Sequence, residues 1–267
     1  MRLRSLAIFP LLYAAAFAAV AFWLDGGDSL GPFVTGQRIL VRILAVVGCF
    51  AAVSVFQRGD HLRRAWLFLA WGTIAILLRD VLRLLPAFDP ASSAPAAEVF
   101  VRGLFIFSNL GLLAGIWLLA RAWKMAAISL PGGRLGVFIV ALLTAVLALL
   151  VAGPAALTSA KELWQGDLNA LIEVVSPVVD IVTLCLIAPL LLTAISLRGG
   201  SFSWPWGLIT ASQLSWLLYD GAVTLAPVLV PAGFPLGDVF RGLAENFLFG
   251  AGLAQLWVVQ QVRRPVE

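Results

Sequence analysis

Apolar residues gather along this chain into eight long stretches separated by short polar or charged turns. They cover residues 5–24, 36–56, 64–86, 98–121, 135–157, 168–197, 205–229 and 236–260. A helix rises about 1.5 Å per residue, so about 20 residues cross the roughly 30 Å of hydrocarbon in a bilayer. Every stretch reaches that length, which predicts an all-α bundle of eight transmembrane helices. The first follows Met1-Arg-Leu-Arg4 and runs for about 20 residues, longer than the roughly 7–15 of a signal-peptide core, so it reads as a span. The sixth contains Pro177 and Pro189 and is expected to tilt or kink.

The charges between the stretches alternate. Arg2, Arg4, Arg58, Arg63, Arg64, Arg121, Lys124, Arg134, Arg198, Arg263 and Arg264 fall at the termini and in the even-numbered connections. The odd-numbered connections hold only Lys161, and both lysines read as loop residues. Short cytoplasmic loops carry the Lys and Arg excess, so both termini are expected in the cytoplasm and the chain in the cytoplasmic (inner) membrane. Composition agrees: 61% of the 267 residues are hydrophobic and 12% charged, against about 25% charged in soluble domains. The basic pI near 9.7 comes from these loops and not from a continuous stripe. Membrane lipids are therefore the expected contacts, and nucleic acid is not.

Two halves of the chain resemble each other at an offset close to 140 residues. Trp66-Leu-Phe-Leu through Leu77-Leu-Arg-Asp80 lines up with Trp206-Gly-Leu-Ile through Leu217-Leu-Tyr-Asp220. Val99-Phe-Val-Arg-Gly-Leu104 lines up with Asp238-Val-Phe-Arg-Gly-Leu243, and Arg58-Gly59 with Arg198-Gly199. The pattern predicts two four-helix repeats, 1–130 and 131–267. An even number of helices per unit makes the repeats parallel, about an axis along the membrane normal.

The residue inventory narrows the chemistry. With His61 as the one histidine, bis-histidine haem ligation and a His-rich metal site are excluded. Cys49 and Cys185 sit inside apolar runs and read as packing thiols. Lys124 and Lys161 lie outside the spans, which argues against a Schiff base within the bundle. Nucleophile elbows, zinc-protease helices, phosphate-cradling loops and Cys-x-x-Cys pairs do not occur. No cofactor or metal is called for, and no catalytic residue stands out. Gly111-x-x-x-Gly115 and Gly250-Ala-Gly252 read as close helix contacts. Trp23, Trp66, Trp123, Trp164 and Trp204 read as an interfacial belt, while Trp71, Trp117 and Trp216 read as deeper core.

Charge inside the spans is the feature that points to function, because a charge at mid-membrane costs about 2.5–3.5 kcal/mol and is usually paired or used. Arginines occur at 38, 42, 79, 83, 102 and 241, and acids at 80, 173, 180, 220 and 245. All fall in the outer half of the predicted bundle, Arg-rich in the first repeat and acid-rich in the second. Arg38, Arg42, Asp80, Arg102, Asn109, Asp180, Asp220, Arg241, Glu245 and Asn246 are the candidates to bind a ligand or ion. A purely architectural reading pairs Asp80 with Arg102 and Asp220 with Arg241 as clamps between consecutive helices.

The layout resembles the membrane sensor regions that precede bacterial signalling kinases and cyclases, and also small duplicated transporters. No quoted motif ties it to either. The leading expectation is a non-enzymatic protein that binds or conducts a small anionic ligand or ion through the outer polar site. The alternatives are a structural or sensory subunit that works with a partner membrane subunit, and an intramembrane enzyme acting on lipid.

Overall fold

The computed structural model describes residues 3–24, 27–88, 94–125, 128–165, 170–229 and 233–263. Within these, the side chains of Trp123, Ala155, Ile172, Glu173 and residues 224–229 are not described. Arg2 and Arg264 of the charge pattern therefore lie outside the described residues, and the Glu173 side chain is not described.

The described residues form α1 (Leu3–Trp23), α2 (Leu30–Ser54), α3 (His61–Leu82), α4 (Pro95–Met125), α5 (Gly133–Trp164), α6 (Ala170–Ser196), α7 (Ser203–Leu229) and α8 (Leu236–Arg263). A single 3-10 turn, Pro86–Phe88, precedes α4. Each predicted stretch falls on one helix, although α2 begins earlier, at Leu30, and α5 runs on to Trp164. Lys124 and Lys161 consequently stand in the last turns of α4 and α5, not in loops. There a cation faces the negative end of the helix dipole. Proline opens α4, where its missing N–H costs nothing. Gly59 and Gly199 adopt φ of 100° and 92°, a conformation glycine reaches without strain, as the chain turns from α2 into α3 and from α6 into α7.

Seven of these helices, all but α7, are long and apolar enough to cross a membrane, which makes the chain a polytopic membrane protein. α7 has the length but carries Thr210, Ser212, Gln213, Ser215, Tyr219 and Asp220 along its course. Polar residues on its inward face lower its apolarity.

Six helices close a ring in the order α2–α3–α4–α6–α7–α8, each packed on its two neighbours and α8 returning to α2. α1 leans on α8 and barely meets α2, while α5 leans on α6. Even-numbered helices start, and odd-numbered helices finish, at the end of the ring where the intramembrane charges collect. The opposite end is filled by an apolar core that includes Trp66, Leu69, Ile116, Leu190 and Ile209, all at 1% exposure or less. Cys49 lies in this core and Cys185 is partly buried, both as free thiols.

Close helix approach rests on glycine. A Cβ on Gly48 would stand 2.6 Å from the Phe249 Cα, and one on Gly252 would collide with the Gly48 carbonyl, so α2 and α8 meet backbone to backbone. Gly111 lies against Gly72 in the same way, and Gly115 against Leu69, joining α3 to α4. His61 adds a polar tie, its Nε2 lying 2.7 Å from the Leu118 carbonyl oxygen.

The tryptophans divide differently from the sequence expectation. Trp66 is fully buried, not interfacial, whereas Trp71 and Trp117 are 51% and 49% exposed on the outside of the bundle. Trp66 shares its helix face with Leu69, Ala70, Thr73 and Ile76, which all point inward. Trp71, roughly 140° further round at about 100° per residue, points out.

Replacing Gly252 by leucine is expected to force α2 and α8 apart and to destabilise by about 2 kcal/mol or more, because backbone cannot move aside as a side chain can. Gly207→Ala, where a Cβ meets nothing within 4 Å, should leave stability unchanged or slightly raised. Thermal unfolding of both variants in one detergent checks the contrast.

Candidate functional site

Two ion-pair systems strap α2 to its neighbours. Arg38, in the third turn of α2, donates from Nε and Nη2 to the two oxygens of Asp238 at 2.6 and 2.9 Å. Asp238 also accepts from Arg241 Nη1 at 2.9 Å, one turn along α8. Arg241 in turn donates to the Tyr219 hydroxyl at 2.7 Å, with its guanidinium 4.8 Å from that ring's centre. The chain Arg38–Asp238–Arg241–Tyr219 thus joins α2, α8 and α7. One turn deeper, Arg42 is 4% exposed, forms an ion pair with Asp80 of α3, and lies 3.7 Å from Glu245 of α8. The spacing sets this up: residues 38 and 42 share a face of α2, as 238, 241 and 245 do on α8.

A third cluster stands apart. Glu98, in the first turn of α4, accepts from Arg102 Nε at 2.8 Å and from Arg83 at 3.0 Å. Arg83 also donates to the Phe88 carbonyl at 2.8 Å, fixing the 3-10 turn between α3 and α4.

Neither of the expected clamps is the pair that forms. Asp80 goes to Arg42 and not to Arg102, which finds Glu98 one turn back on its own helix. Arg241 pairs with Asp238, three residues back, and not with Asp220. Partners on the same helix at i−4 and i−3 are already within reach, and α2, which the clamp reading left out, supplies the cation that Asp80 meets.

The six ring helices enclose a cavity of about 180 Å³. Of the ten candidate residues, Arg42, Asn109, Asp180, Asp220, Arg241 and Glu245 line it. Asp80 and Arg38 lie behind it as partners of Arg42 and Asp238, and Arg102 belongs to the separate Glu98 cluster. Asn246 is fully buried, donates to the Gly242 carbonyl at 2.9 Å and leaves its Oδ1 without a hydrogen bond.

Arg79, Gln213, Trp216 and Tyr219 also line the cavity and were not among the candidates. Arg79 was visible as an intramembrane arginine beside Asp80. What sets it apart is the pairing: among the described residues it makes no ion pair and rests on the Phe105 ring at 4.8 Å. Tyr219 occupies the position in α7 that Arg79 occupies in α3 under the 140-residue offset, and there it receives Arg241.

Across the ring, α6 and α7 contribute Asp180 and Asp220. The Ser176 hydroxyl stands 3.5 Å from Asp180, at the limit of a hydrogen bond, and among the described residues no cation pairs with Asp180. The lining therefore holds three guanidinium and three carboxylate groups, from Arg42, Arg79, Arg241, Asp180, Asp220 and Glu245. Arg42 and Arg241 are engaged by acids, while Arg79 faces the space without one. Such a chamber can hold a charged or strongly polar molecule and can orient it by its two walls.

Arg42→Leu should leave Asp80 and Glu245 without their shared cation and destabilise by about 3–5 kcal/mol. Arg102→Gln, at a partly exposed pair, should change stability by about 1 kcal/mol or less. Thermal unfolding of the two variants side by side reads the difference. The chain matches no protein-family model, no curated protein and no solved structure.

Proposed function

We propose that this chain is an eight-span protein of the cytoplasmic membrane, with both termini inside, that binds or conducts a small ligand or ion through the charged cavity in its outer half. One observation carries the reading: six helices converge on a chamber lined by Arg79 and Asp180, neither of which has an ion-pair partner among the described residues. Groups placed so expensively at membrane depth are the signature of a pathway or a binding site.

Three further features support the details. α7 is flanked in the ring by the spans α6 and α8 and has their length, so it crosses with them. Arg58, Arg63, Arg64, Arg121, Lys124, Arg134, Arg198 and Arg263 lie at the end of the bundle away from the cavity, as cytoplasmic basic residues do. The packing order favours two units, 1–130 and 131–267. α2–α3 and α3–α4 correspond to α6–α7 and α7–α8, and α2–α8 corresponds to α6–α4, as a two-fold axis along the membrane normal would relate them. α1 and α5 depart from this relation and stand outside the ring.

The test is access. Ser108 lines the cavity at 3% exposure. In a Cys185→Ala background, Ser108→Cys on intact cells should react with a membrane-impermeant trimethylammonium methanethiosulfonate, while Ile116→Cys in the apolar core should not. Labelling only after permeabilisation would reverse the orientation. No labelling under either condition would contradict an aqueous site.

A further inference from the structure

The charges that remain after the ion pairs are drawn describe the ligand. Arg42 is held by Asp80 with Glu245 nearby, Arg38 and Arg241 by Asp238, and Arg83 and Arg102 by Glu98. That leaves Arg79 as the guanidinium lining the cavity without an acid among the described residues, and Asp180 as the carboxylate lining it without a base. Arg79 stands on α3, and Asp180 and Asp220 on α6 and α7. Neither α6 nor α7 is a packing neighbour of α3, so the two charges face the chamber from different walls.

Extending the reading of the cavity as a binding site, we propose that its ligand is a small zwitterion of the amino-acid class, with its carboxylate on Arg79 and its ammonium on Asp180. A simple anion would satisfy Arg79 but leave Asp180 on the far wall without a cation among the described residues. A simple cation would do the reverse. A molecule carrying both charges neutralises both walls at once, and in a low-dielectric interior an unanswered charge is what binding must avoid.

The local chemistry fits each end. Arg79 offers a planar fork of donors that matches a carboxylate, and the Phe105 ring face at 4.8 Å holds that fork in place. On the opposite wall the Asp180 carboxylate and the Ser176 hydroxyl lie 3.5 Å apart and can both accept from an ammonium. Leu112 and Val179 supply apolar wall between the ends. The chamber's volume of about 180 Å³ suits a compound of few heavy atoms.

The test is isothermal titration of the purified full chain with the common L-amino acids and glycine betaine, beside propionate and ethylammonium as half-molecules. At least one zwitterion should bind ten times more tightly than either half. Arg79→Gln and Asp180→Asn, each checked as a monodisperse peak on gel filtration, should each weaken it by about thirtyfold or more. Arg79→Lys should also weaken it, since a point charge does not reproduce the fork. Propionate or ethylammonium binding as tightly as any zwitterion would overturn the inference and make the site one for a single charge. Absence of binding by every compound overturns it as well. In either case the labelling of Ser108→Cys decides separately whether the cavity reading stands.

Discussion

A charge carried into hydrocarbon must be answered by another, and that constraint arranges the charged half of this bundle. Arg42 is almost fully buried and meets an acid from each of two other helices, so α2, α3 and α8 are fixed against one another at that depth. One turn nearer the helix ends, Arg38 and Arg241 share Asp238 and bring in α7 through Tyr219. The opposite half is built on a different principle. There the interior is apolar, and α2 and α8 approach until Gly48 and Gly252 touch, with Trp66 and its neighbours filling the space between helices. Small residues in one half and ion pairs in the other give the ring a tight end and an end wide enough to enclose a chamber.

The two sides of that chamber differ in sign because the two halves of the chain differ in composition. Where α3 has Arg79-Asp80, α7 has Tyr219-Asp220. Where α2 has Arg38 and Arg42, α6 has Val178 and Val182, and it carries Asp180 at the position where α2 has Leu40. If the halves arose by duplication, each has kept the helix contacts and changed the charges facing inward. Asp80 keeps an arginine beside it through α2, whereas α6 carries no arginine. This divergence produces a polar gradient across the cavity, and the proposed zwitterion follows from that gradient.

The helices were legible in the sequence because apolar length is a local property, and all eight were visible to within a few residues at most ends. The charged half was legible too, since six of the ten candidate residues line one cavity. Partner choice was not, because it depends on how neighbouring helices are rotated and staggered. Asp80 meets Arg42 and not Arg102, although the sequence places Arg102 equally well at the same depth. Arg79 was passed over for the same reason: that it makes no ion pair among the described residues shows only once Arg38, Arg42, Arg83, Arg102 and Arg241 have each found an acid. Trp66 and Trp71 exchanged environments since depth along a helix can be counted from a span's end, while the face that points inward depends on the packing.

The proposed zwitterion site requires that Arg79 and Asp180 be held unanswered for a ligand and not for the fold. The direct measurement is the thermal stability of the ligand-free Arg79→Gln/Asp180→Asn double variant against the native chain in the same detergent. Groups kept for a ligand burden the empty protein, so removing both charges should leave the midpoint unchanged or raise it. A midpoint lowered by several degrees would show that the two side chains stabilise the bundle itself, and the account of the cavity as a binding site would fail.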